Sequence, residues 1–113
     1  MNWVIDSFSW INNCRFVLNM VTTATLLQDR TKQFAIRIVK LYRSLPKTEE
    51  ARIIGRQLLR SGTSVAANYR AVCRARSKAE FIAKIGVVVE EADETVFSWN
   101  CLAKQASWTK RKS

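Results

Sequence analysis

The chain has 113 residues, enough for one small domain, and 48% of them are hydrophobic, too many for a disordered chain. Only 3 Gly and 1 Pro interrupt it, so the simplest fold is all-helical. With 19 Lys+Arg against 9 Asp+Glu, the net charge is +10, a balance that favours polyanions: nucleic acid first, an anionic membrane surface second.

Several chemistries lack their residues. There is no His, which removes the commonest acid–base group and the commonest metal ligand together. Cys14, Cys73 and Cys101 are odd in number and widely spaced, so neither a disulfide framework nor a zinc site is indicated, and a reduced cytoplasm is the expected location. The apolar first 27 residues are broken by Asp6, Asn12, Asn13, Arg15 and Asn19, and they lack a basic leader with a clean apolar stretch. Neither a membrane span nor a signal peptide is expected.

Residues 1–24 show no clear period and read as an N-terminal extension. Met20 is an alternative start, and a native extension would instead pack Trp3, Phe8 and Trp10 onto the core. A first helix is predicted from Thr25 to Leu45, where Thr25 and Gln28 have capping-box spacing. Leu27, Phe34, Ile38, Leu41 and Leu45 form its stripe, and Pro46 closes it.

A second helix is predicted from Thr48 to Ala75, with Thr48 as N-cap and Glu49 and Glu50 at the positive end of its dipole. At about 100° per residue, Ile54, Leu58, Val65, Tyr69 and Val72 share one face. Arg52, Arg56, Arg60, Arg70 and Arg74 share the opposite face, and Gly62 is a local weak point. A third helix opens at a second capping box, Ser77 to Glu80, and carries the stripe Phe81, Ile85, Val88, Ala92 and Val96. Three striped helices with short turns pack best as an antiparallel bundle, placed at residues 25–97.

One continuous stretch, Gln57 to Lys84, reads QLLRSGTSVAANYRAVCRARSKAEFIAK. Its arginine, small-residue run, Asn-Tyr pair and helix start follow in fixed order. This pattern resembles the bacterial four-helix-bundle family whose founding members are encoded inside intervening sequences of 23S rRNA genes. The family also includes small accessory proteins of diversity-generating retroelements. The resemblance covers about Thr25 to Phe97 and implies a non-enzymatic helical bundle. It further implies pentameric barrels with a basic surface, and RNA binding together with a reverse transcriptase among the retroelement relatives. Carried over, Arg52, Arg56, Arg70 and Arg74 belong to that basic surface. Ala71 stands where the family often has Glu, so a pairing that needs that carboxylate is in doubt.

After Phe97 the chain departs from the expected pattern and reads SWNCLAKQASWTKRKS. Residues 98–113 show no apolar period and read as a divergent basic tail in place of a fourth helix. Trp99 and Trp108 with Lys110, Arg111 and Lys112 have the interleaving that stacks bases and holds phosphate. Codons for Trp99 to Gln105 can also be chosen so that a shifted frame reads a helix end of the family's sort, as a frameshift would produce. The expected fold is therefore an all-α antiparallel bundle of the four-helix type, its fourth helix missing or replaced. Part of the stripes on the first and third helices is then left uncovered.

The arginine face is the strongest functional signal. Arg52, Arg56, Arg60, Arg70 and Arg74, with Arg76 and Lys78 just beyond, line one side of a long helix. The guanidinium fork suits phosphate, and a row that accepts like-charge repulsion points to an anionic partner. Arg60, beside the small-residue run, is the member best suited to pairing with the acids of the third helix. Ser61, Gly62, Thr63, Ser64, Ala66 and Ala67 lack phosphate-loop spacing and read as tight helix packing. Glu90, Glu91, Asp93 and Glu94 read as a solvated or arginine-paired face, because carboxylate-bridged metal bundles also need His. Ser61 and Ser64 have no His base. No enzyme activity, cofactor or metal is expected.

The expected function is RNA or ribonucleoprotein binding by a self-associating helical protein, with a pentamer and a nucleic-acid enzyme as implied partners. The alternative is an adaptor that docks an acidic protein such as a reverse transcriptase. A membrane-surface role ranks below both, for want of an aromatic-rich insertion face.

Overall fold

The structure, a computed structural model, describes the backbone of residues 10–112 and the side chains of residues 23–106. It contains three helices and, among the described residues, no strand: α1 Trp10–Ser44, α2 Glu49–Val72 and α3 Lys78–Lys112. α2 packs against both other helices, and α1 and α3 scarcely meet. Gly55 lies beside Leu45, and Gly62 beside Ile38, so α1 and α2 run antiparallel. Ser61 meets Thr95 and Glu50 meets Gln105, so α2 and α3 do too.

The helix ends follow local chemistry. Pro46 stops α1 just after Ser44. Thr48 caps α2 by accepting from the Ala51 N–H at 3.3 Å. Ser77 Oγ accepts from the Glu80 N–H at 3.1 Å. The Glu80 carboxylate reaches back to the Arg76 N–H at 3.0 Å, one residue earlier than the box predicts. Lys84, and then that N–H, hold the Glu80 carboxyl below its ordinary range.

Three boundaries differ from the sequence reading. α2 ends at Val72 with Cys73 as its C-cap, short of Ala75, so Arg74 lies in the turn. α1 begins at Trp10, so Thr25 lies inside the helix and does not cap it. No Gly or Pro occurs from Trp10 to Ser44, and nothing breaks the helix at Thr25. The side chains of Trp3, Phe8 and Trp10 lie outside the described residues. α3 continues past Phe97 to Lys112, and Ser98 and Leu102 are buried, so residues 98–106 extend the core as helix. Val96, expected on the buried stripe, is instead 58% exposed, and its neighbour Thr95 is buried.

The core has two centres. Ile38, Ala51, Leu58 and Leu102 form one, with Leu41, Leu45 and Ile54 against it. Val65, Tyr69, Val72 and Val88 form the other, with Leu27, Phe81, Ile85 and Ala92 around it. Burial, with help from adjacent Cys73, pushes the Tyr69 hydroxyl up to about 12, so this phenol stays neutral in the core. A groove between α1 and α3 is left open, with a hollow of about 550 Å³ lined by Phe34, Ile38, Leu41, Val96 and Trp99.

The small-residue run sits where α2 approaches both neighbours. A Cβ on Gly62 would lie 2.8 Å from Cγ2 and 3.1 Å from Cβ of Ile38, a β-branched side chain with no free end to move. On the other flank Ser61 Oγ donates to the Gln57 carbonyl at 2.8 Å and accepts from Thr95 Oγ1 at 2.8 Å. Gly86 in α3, by contrast, has nothing within 4 Å of its missing Cβ.

Gly62→Ala should therefore destabilise the fold by about 1–3 kcal/mol through overpacking, despite better helix propensity. Gly86→Ala should stabilise it by about 0.5–1 kcal/mol. Thermal unfolding followed by circular dichroism compares the two, and equal stabilisation by both would refute the close approach at Gly62.

Candidate nucleic-acid interface

Packing decides which side of α2 remains for function. α1 covers the flank at Gly55 and Gly62, α3 covers the flank at Ser61, and the core takes Leu58, Val65, Tyr69 and Val72 between them. The face opposite the core stays in solvent, and it carries the arginines. Arg52, Arg56, Arg60, Arg70 and Arg74 are all exposed, as are Arg76 and Lys78 at the α2–α3 turn.

These cations differ in their partners. The Arg60 guanidinium bridges to α3, bonding Glu94 and lying 3.3 Å from Glu91. The hydrogen bond to Glu94, then the one to Glu91, raise the Arg60 pKa above its ordinary value. Arg60 is thus a strut between α2 and α3 at the edge of the face, and Glu91 and Glu94 are arginine-paired. Arg52, Arg56, Arg70, Arg74, Arg76 and Lys78 make no ion pair among the described residues. Glu90 and Asp93 are exposed on α3. No group of His, Cys, Asp and Glu among the described residues is placed to hold a metal.

The stripe is divided by this strut. Arg70, Arg74, Arg76 and Lys78 gather around the α2–α3 turn. There α2 ends in a tight turn, with the N–H groups of Cys73, Arg74 and Ala75 bonded back to Tyr69, Ala71 and Val72. Arg52 and Arg56 stand near the other end of α2, beside the α1–α2 turn. A cleft of about 300 Å³ opens at that turn. Arg43, Lys47, Arg52 and Arg56 contribute its charge, and Tyr42, Leu45, Pro46 and Ala51 its apolar wall.

Arg43 and Lys47 were not among the residues picked out by the helical wheel. They lie outside α2, and only the fold of the α1–α2 turn brings them beside Arg52 and Arg56. The available signal was a cation in the last turn of α1 followed by another just after Pro46. Asn68 donates to the Ser64 carbonyl at 2.9 Å within its own helix, a structural bond. Side chains of Trp108 and Lys110 to Lys112 lie outside the described residues. No helix among the described residues is long and apolar enough to cross a membrane.

Comparison with known proteins agrees with this architecture. The family model described as 23S rRNA-intervening sequence protein matches residues 26–113, running past Phe97 through the last turns of α3. A crystal structure of a protein of unknown function, from the S23 ribosomal protein family of Bacteroides thetaiotaomicron VPI-5482, is similar at 36% identity with a TM-score of 0.67. The similarity covers 73% of each chain. No curated protein matches the sequence significantly. The chain belongs to the 23S rRNA-intervening sequence protein family.

Proposed function

We propose that this protein binds RNA through backbone phosphates on the outer face of α2, without catalysis. The observation that carries the reading is that Arg52, Arg56 and Arg70 share the outer face of α2, that Arg74 is exposed in the turn just beyond its end, and that none of the four makes an ion pair among the described residues. Neighbouring guanidinium groups one helical turn apart repel by a few tenths of a kcal/mol (about 0.2–0.5 per pair). A phosphate chain removes that repulsion and accepts bidentate hydrogen bonds. Nothing on the face resembles a base-reading platform, so specificity comes from RNA shape. Arg76 and Lys78 extend the contact at the α2–α3 turn, and Arg60 serves packing.

Replacing Arg52, Arg56, Arg70 and Arg74 together with Ala should weaken RNA binding and flatten its salt dependence. The logarithmic slope should fall by about 0.7–0.9 for each phosphate contact removed. Arg60→Ala should leave the slope unchanged. Fluorescence anisotropy across a salt series measures both, and an unaltered slope in the quadruple variant would sink the assignment.

Self-association belongs to the same reading. Ile82, Val89 and Val96 recur every seven residues along α3 and are 56%, 56% and 58% exposed. Such a row supplies one apolar position per heptad, a surface on which helices of separate chains can pack. Several copies would also multiply the basic face along one RNA. Sedimentation velocity should find an oligomer, a pentamer in the form the family resemblance implies. Val89→Glu with Val96→Glu should return it to a folded monomer, and a wild-type monomer at tens of micromolar would contradict this part.

A further inference from the structure

The cleft at the α1–α2 turn has a composition that the outer stripe alone does not explain. Four cations converge on it: Arg43 from the last turn of α1, Lys47 from the turn, and Arg52 and Arg56 from α2. No carboxylate lines it. Glu50, two residues before Arg52, accepts from Gln105 of α3 at 2.8 Å and faces the groove between α1 and α3 instead.

Helix electrostatics account for only one of these four charges. A cation at Arg43 complements the negative end of α1. Arg52 stands at the end of the first turn of α2, where the dipole gives a cation no support, Arg56 lies one turn further on, and neither has an ion-pair partner among the described residues. Glu49 and Glu50 answer the positive end of α2 from outside the cleft, so the cations that line it have no carboxylate among them, and the group that relieves their mutual repulsion is an anion.

The apolar wall narrows the choice. Tyr42 is half-buried and lies over Gly55, whose missing Cβ would come within 3.3 Å of the ring. The ring is thus held in place as one side of the cleft and offers a surface on which a base or ribose can rest. A volume of about 300 Å³ has room for one nucleotide unit and little more.

We propose that this cleft receives the phosphorylated end of an RNA strand. The terminal phosphate sits among Arg43, Lys47, Arg52 and Arg56, and the first nucleoside lies against Tyr42. A terminal phosphomonoester carries close to two negative charges at neutral pH, and a phosphodiester within the chain carries one. Four converging cations therefore favour the end over the interior. This inference rests on the RNA-binding reading and adds to it a preference for chain ends.

The test uses three short single-stranded RNAs of one sequence, with a 5′-phosphate, with a 3′-phosphate, or with hydroxyls at both ends. Wild-type protein should bind at least one phosphorylated RNA about tenfold more tightly than the hydroxyl RNA in anisotropy measurements. Arg43→Ala with Lys47→Ala should abolish that preference, weakening the phosphorylated RNA about tenfold more than the hydroxyl RNA. Arg70→Ala with Arg74→Ala should weaken all three RNAs and keep the preference. All four cations are exposed, and circular dichroism verifies that each variant is folded. Equal wild-type affinity for the three RNAs overturns the cleft assignment and leaves the α2 face standing. No binding to any of them at low salt, from folded protein, overturns both.

Discussion

The close approach of α2 to its two neighbours at Ser61 and Gly62 is the constraint on which the rest of the structure depends. On one flank the missing Cβ of Gly62 admits Ile38. On the other, the hydroxyls of Ser61 and Thr95 meet at 2.8 Å in a buried seam that also holds Ser98. Long charged side chains have no room on either flank, and the inner surface is filled by Leu58, Val65, Tyr69 and Val72. The outer face is what remains, so the phase of the arginines follows from the packing of small residues.

That geometry also explains how the charge is distributed. Arg60 lies at the edge of the outer face, where α3 is within reach, and its charge is absorbed by Glu91 and Glu94. The arginines on either side of it have no such partner among the described residues. Arg52 and Arg70 are 18 positions apart in one helix, about 27 Å at 1.5 Å per residue. That exceeds the screening length of about 8 Å at physiological salt, so the two ends act as separate anchor points. A ligand that uses both must be extended and charged along its length, which describes a nucleic acid strand better than a small anion.

Much of this architecture was legible in the sequence. Pro46, Thr48 and Ser77 act through local sterics and hydrogen bonds, so they fix the two turns without tertiary information. The two faces of α2 were legible because its apolar and basic residues lie on opposite sides of one wheel. α3 was harder to read, because its buried side beyond Val88 is built from Ala92, Thr95 and Ser98, while Val96, Phe97 and Trp99 point outward. Hydropathy reads such a helix in the wrong phase, and the continuation to Leu102 looks like an irregular tail. The cleft at the α1–α2 turn was hidden for another reason: its four cations come from three separate segments, and only the fold brings them together.

The central claim is that RNA lies along the outer face of α2. Its most direct test is photo-crosslinking with RNA containing 4-thiouridine, followed by mass spectrometry of the modified peptides. Crosslinks should concentrate in peptides spanning 42–56 and 69–78, at the two ends of that face, with few in the segment of α3 that carries Val89 and Val96. Crosslinks confined to α3 or to the groove between α1 and α3 would contradict the account, since they would place the nucleic acid on the side of the molecule opposite the arginines.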